Sequence, residues 1–135
     1  MASGANALLS IKLSTFLARG VCMMLFNAVF NYTGIGGKIS ITEVNYNSDS
    51  TRNSGNWIEF HNYGNDAVDM SGWRFTDSTA GNNYIFPQGT ILQQSQYLVL
   101  VSDTAIFHSQ FPQVNVLGPI GFGFNNTSEP LSLFD

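Results

Sequence analysis

The chain has 135 residues, 44% of them hydrophobic, which suits one domain with a core of its own. Only 10% are charged, against about a quarter in ordinary soluble domains, so Asn, Ser, Thr, Gln and Gly carry much of the polar surface. From Lys38 onward three basic residues face nine acidic ones, a formal charge of 3 − 9 = −6; such a surface repels a phosphate backbone, and nucleic acid is not an expected partner.

Residues 1–37 differ in kind from the rest and contain no acidic residue. Lys12 and Arg19 precede the apolar run Val21–Phe30, broken once by Asn27, and Gly34-Ile35-Gly36 places small residues at its exit. This is the pattern of a secretory signal peptide, with a disordered leader as the alternative. The run is shorter than the ~20 apolar residues of a membrane span, so no stable span is expected. Cys22 is the only cysteine, which rules out an internal disulfide; with no activating neighbour in the sequence it reads as a free thiol.

Residues 38–135 break into short apolar runs separated by Gly, Asn, Asp, Ser and Pro, the pattern of an all-β sandwich or barrel. Ile39 and Ile41 alternate with Ser40 and Thr42 in a first strand ending near Tyr46, followed by a polar loop over 47–55 expected to be mobile. In the next strand Trp57, Glu59 and His61 share one face and Ile58, Phe60 and Asn62 the other. After the turn signals Gly64-Asn65-Asp66 and Ser71-Gly72, Trp73, Phe75 and Asp77 alternate with Arg74 and Thr76. Such half-buried strands need a second sheet to cover them.

Tyr84-Ile85-Phe86 predicts a brief strand stopped by Pro87, and Gly89 permits the turn into Thr90-Ile91-Leu92. The run Tyr97-Leu98-Val99-Leu100-Val101 is apolar on both faces, which predicts an inner strand with a short helix or side chains over its outer face. Asp103-Thr104 supplies an N-cap for a helix over 105–111, ended by Pro112. Val114, Val116 and Leu117 predict another short strand, and 118–123 reads as a flexible connection. The last apolar run, Leu131–Phe134, has no partner strand following it in the sequence; its edge is expected to be exposed, with closing strands beyond Asp135. The expected core comprises Ile39, Ile41, Ile58, Phe60, Trp73, Phe75, Phe86, Leu98, Leu100 and Leu133.

Five blocks in order carry a resemblance to a known family: Ile39-Ser-Ile-Thr-Glu-Val-Asn-Tyr46, Asn56-Trp-Ile-Glu-Phe-His-Asn62, Val68-Asp-Met-Ser-Gly-Trp-Arg-Phe-Thr-Asp77, Tyr84-Ile-Phe-Pro-Gln-Gly-Thr90 and Gln96-Tyr-Leu-Val-Leu-Val-Ser-Asp103. Over 38–135 the chain resembles the lamin tail domain as found in secreted bacterial proteins. The resemblance implies an immunoglobulin-like β-sandwich with one short helix, here lacking its last strand or strands. It also implies a non-catalytic accessory binding module of an exported or cell-surface protein, set beside enzymes such as nucleases or hydrolases, or serving as a structural spacer.

The residues offer few sites of their own. Glu59 and His61 pair a carboxylate with an imidazole on one strand face, but general acid–base chemistry needs a nucleophile or orienting group as well, so no catalytic residue is assigned. His61 and His108 lack the spacing of a zinc site, and no metal ligands are assigned. Asp49, Asp66, Asp69 and Asp77 lie in or beside loops where calcium could bind, although Asp side chains more often brace their own turns. Glycan recognition through exposed rings is the alternative function; Trp57, Tyr63 and Tyr84 are its candidate binding residues, with Trp73 expected in the core. The partner is therefore a protein or glycan surface. Asn31-Tyr-Thr33, Asn125-Asn-Thr127 and Asn126-Thr-Ser128 match the glycosylation pattern, as an Asn-rich chain does by chance.

Overall fold

The computed structural model describes residues 39–46, 48, 52–77, 79–125 and 129–135, and the backbone course alone of 7–12 and 28–29. Two strands precede the domain: β1 (Ala7–Lys12) and β2 (Ala28–Val29). The domain then runs β3 (Ile39–Asn45), β4 (Trp57–Asn62), β5 (Val68–Asp69), β6 (Arg74–Thr76), β7 (Tyr84–Ile85), β8 (Ile91–Leu92) and β9 (Tyr97–Val101). It ends with the helix α1 (Thr104–Gln110), β10 (Val116–Leu117) and β11 (Pro130–Phe134).

These strands form a sandwich. One sheet has the order β10-β9-β4-β3, the facing sheet β2-β1-β11-β6-β7, and β5 pairs with β8 as a small ribbon. Within the Trp57–Asp77 segment, β4 and β6 thus belong to opposite sheets, with β5 of the small ribbon between them in sequence. Phe60 of β4 meets Phe75 of β6 edge to face across the interior at 5.9 Å and Phe86 at 5.8 Å, a geometry that adds about 0.5–1.5 kcal/mol per pair beyond burial.

The inner face of β4 is the one that alternation indicates: Ile58, Phe60 and Asn62 are buried, and Trp57, Glu59 and His61 are half-exposed. Ile41, Phe75, Phe86, Leu100 and Leu133 join them in the core, with Ile39, Trp73 and Leu98 packed at its margin. The alternation expected after Trp73 stops early, because Thr76 and Asp77 are both buried.

As its composition predicts, β9 lies inside its sheet, antiparallel to β4 and parallel to β10. Asp103 caps α1, its carboxylate accepting from the Ile106 amide at 2.9 Å. Phe107 then packs with Val99 and Val101 in a second small core, sealing that part of the sheet's outer face.

Two expectations are corrected. The segment 118–123 is pinned to the domain, not a free connection: Ile120 and, just beyond, Phe124 are buried, the Ile120 amide donates to the Val101 carbonyl at 3.0 Å, and the Phe124 amide donates to Asn56 Oδ1 at 3.0 Å. The β11 edge is also not bare, since β6 pairs with one side of β11 and β1 with the other. The remainder of 1–37, including Cys22 and the proposed exit Gly34–Gly36, lies outside the described residues.

The loop over 47–55 is partly described. Asn45 Nδ2 donates to Ser48 Oγ at 2.7 Å and to the Gly55 carbonyl at 2.7 Å, which ties the loop's two ends to β3. Asp49 lies outside the described residues.

Candidate functional site

The outer face of the four-stranded sheet gathers the most chemistry. Direct pairing places His61 beside Tyr97, Glu59 beside Val99 and Trp57 beside Val101, so these six share one face. The apolar end, Val99, Val101 and Trp57, lies under α1: Trp57 meets Phe107 edge to face at 6.0 Å, and its Nε1 donates to Ser54 Oγ at 3.1 Å. The other end is uncovered.

At that end the rings of His61 and Tyr97 stack at 4.2 Å with 15° between their planes, and Tyr97 is 58% exposed. Beside them the register of β3 on β4 shifts between Ile41 and Glu43, so that Thr42 and Glu43 both oppose Glu59 and both reach solvent. An extra residue of this kind re-aims side chains and is common next to functional surfaces. Thr42 Oγ1 donates to Glu59 Oε1 at 2.6 Å. Partial burial, and then the neighbouring Glu59 carboxylate, push the Glu43 carboxyl above its ordinary range. The result is an aromatic platform next to two carboxylates that repel each other.

This arrangement can bind but is poorly built to catalyse. Glu59 is engaged by Thr42 and His61 lies flat on Tyr97, so the carboxylate and the imidazole address different neighbours. Proton transfer in sequence would need the two to converge on one reacting atom.

The ring residues nominated from sequence are dispersed. Trp57 is held under α1, Tyr84 packs edge to face on Phe86 at 5.4 Å, and Trp73 sits at the core margin. Burial pushes the Tyr84 phenol up. Tyr63 is exposed, at 50%, but stacks on none of them. The exposed stack instead uses Tyr97, which its sequence pattern assigns to a buried strand. A signal for its exposure is present: Tyr97 shares a face with Val99 and Val101 but follows the turn residues Gln94-Ser95-Gln96, at the end of β9 farthest from the helix.

The loop aspartates brace turns. Asp69 accepts from the Ser71 amide at 2.9 Å, and hydrogen bonding from the Ser71 side chain, then from its backbone, holds the Asp69 carboxyl below the usual range. Asp77 accepts from the Thr79 amide and Asn82 Nδ2, both at 2.8 Å. Asp66 is exposed and contributes its backbone carbonyl to Asn62. Among the described residues no three His, Cys, Asp or Glu side chains gather as metal ligands. His108 closes the last turn of α1, its Nε2 lying 3.1 Å from the Val114 carbonyl.

No helix among the described residues is long and apolar enough to cross a membrane. No curated protein and no solved structure matches the chain significantly. A model of the lamin tail domain family matches residues 35–135, three-quarters of the sequence and the whole of the sandwich from β3 to β11. With that match over an immunoglobulin-like sandwich, the chain belongs to the lamin tail domain family.

Proposed function

We propose that this domain is a non-catalytic interaction module of an exported or cell-surface protein, and that it binds a basic protein surface through the uncovered end of the β3–β4–β9 face. The observation that carries the reading is the exposed His61–Tyr97 stack beside Glu59 and Glu43. A Lys or Arg side chain laid over Tyr97 gains from the ring's negative face. Its charge also relieves the repulsion between the two carboxylates, and the net charge of −6 over 38–135 favours encounter with a cationic partner. Export is supported by the leader composition of residues 1–37.

The test is binding of Lys- and Arg-rich peptides to the immobilised chain. Wild type should bind in a salt-sensitive manner, and Tyr97→Ala and Glu59→Gln should each weaken binding about five- to tenfold, the ~1 kcal/mol of a cation–π contact or a charge pair. Binding that is absent, or equal in all three proteins, overturns the reading. Export is tested separately with residues 1–37 fused to a phosphatase that is active only outside the cytoplasm; an inactive fusion removes that part.

A second reading, glycan binding, is favoured by one feature of the same face: the stacked rings stand beside Ser40, Thr42 and Glu59, groups that hydrogen-bond hydroxyls. Cosedimentation with insoluble polysaccharides that is lost in Tyr97→Ala, without peptide binding, would select it.

A further inference from the structure

The opposite sheet carries a second surface, independent of the one just proposed. We infer that the side of β11 facing away from β6 is a strand-acceptor site for extended peptides, and that β1 is its intramolecular, displaceable occupant.

Without β1, β11 is already held firmly from the domain side. Leu131 and Leu133 are fully buried in the main core, and the ladder to β6 pairs Ser132 with Thr76, Leu133 with Phe75 and Phe134 with Arg74. The Arg74 guanidinium also lies 4.2 Å from the centre of the Phe134 ring. The strand therefore keeps its place, and presents a row of backbone donors and acceptors, whether or not its other side is covered.

β1 runs along β11 from Ala7 opposite Phe134 to Lys12 opposite Pro130, a longer ladder than that of β6. The ladders of β1 are with β11 and with the two-residue β2, and both β1 and β2 belong to sequence outside the family match at 35–135. Residues 13–27 separate β1 from β2, and 30–38 separate β2 from β3. The pairing of β1 with β11 shifts register between Ala7 and Leu9, leaving a regular stretch in which Leu9 opposes Leu133, Ser10 opposes Ser132 and Ile11 opposes Leu131. This pairing defines the ligand class: an antiparallel peptide of about four residues, apolar opposite Leu131 and Leu133 and small and polar between them. Main-chain bonds supply affinity in such strand addition, and the alternating side chains supply selectivity. Export with removal of residues 1–36 would vacate this edge.

The experiment uses the full chain and a fluorescein-labelled peptide Ala5-Asn-Ala-Leu-Leu-Ser-Ile-Lys-Leu-Ser14, read by fluorescence anisotropy. In the double variant Leu9→Pro/Ser10→Pro the strand cannot bond to β11 whichever of its alternating amides faces it. That variant should bind the peptide at least about tenfold more tightly than wild type, where the tethered strand competes at high effective concentration. A scrambled peptide should bind neither. Equal binding to both proteins, or none to a folded variant, overturns the inference. Hydrogen exchange on wild type decides the matter even if the variant does not fold. Amides of 7–12 should exchange at least about tenfold faster than those of β9, as expected of a segment that opens locally. Equal protection would make β1 an integral strand and end the proposal.

Discussion

The side-chain amide of Asn62 donates to the Leu92 carbonyl at 2.9 Å, which fastens the buried end of β4 to the β5–β8 ribbon. The same nitrogen donates to the Asp66 carbonyl at 2.8 Å, and Asn62 Oδ1 accepts from the Gly64 amide at 2.9 Å. One fully buried side chain thus closes the 62–66 turn and links it to a strand thirty positions away. Among the described residues no buried side-chain polar atom lacks a partner.

Replacing Asn62 by Ala should therefore cost about 2–3 kcal/mol, since the Leu92 carbonyl is stranded while the groups of Gly64 and Asp66 can rehydrate. Asn62→Asp should cost more near neutral pH: it keeps the acceptor but loses both donations and places a charge against two carbonyls. Urea melts of the three proteins check the order; an Asn62→Asp variant as stable as wild type would show that these donations contribute little.

A second prediction concerns Gly118. Its φ is +135°, and a Cβ there would lie 2.4 Å from the Val101 carbonyl oxygen, which already accepts from the Ile120 amide. Both the conformation and the space exclude a side chain. Gly118→Ala should lose about 3–5 kcal/mol, backbone strain and overpacking together. Gly89 is the control: its φ of +82° is also left-handed, but nothing lies within 4 Å. Gly89→Ala should cost only about 1 kcal/mol. Comparable losses for the two variants in thermal melts would refute the steric account.

Much of this fold is legible in the sequence where one local rule governs. The period of two in 57–62 sorts core from surface, the doubly apolar run 97–101 marks an inner strand, and Asp103 marks the helix start. The extra residue at Thr42-Glu43 is also visible there, as Ile41 and Val44 stand three apart before the period of two resumes at Tyr46. What the sequence could not supply were relations between distant segments. Nothing local says that β4 and β6 enter different sheets, that Ile120 and Phe124 fold back into the core, or that Ala7–Lys12 pairs with β11. The candidate site has the same limit: His61 and Tyr97 are ordinary residues until the β4–β9 register stacks them.

The cover over the outer face makes a third prediction. Asp103→Ala removes one helix cap and should cost about 1 kcal/mol. Phe107→Ala removes the ring that seals Val99, Val101 and Trp57, and should cost about 3 kcal/mol, at the low end for a buried Phe because this core is small. Only the Phe107 variant should gain fluorescence with a dye that reports exposed apolar surface. If both variants lose the same stability and neither binds dye, α1 is an appendage and not a lid over the sheet.

The last prediction follows from Glu129, which is only 9% exposed. Burial pushes its carboxyl above the ordinary range, the Asn125 amide donating to Oε1 at 2.6 Å opposes that, and the charge of nearby Asp77 raises it again. A carboxyl whose pKa is higher folded than unfolded makes the native state the stronger proton binder. Stability from this site is therefore lost as pH rises through the folded value and recovered as pH falls toward the ordinary carboxylate range. In Glu129→Gln the side-chain oxygen can still accept from the Asn125 amide, while the charge facing Asp77 is gone. The variant should melt above wild type near neutral pH, with the gap closing as the solution is acidified into the range where Glu129 takes up its proton. Paired melting curves across that interval measure the gap directly. A gap independent of pH would mean that the ionised carboxylate's bond to Asn125 cancels its burial and its repulsion from Asp77, and a variant that falls further below wild type as pH rises would mean that the bond outweighs them.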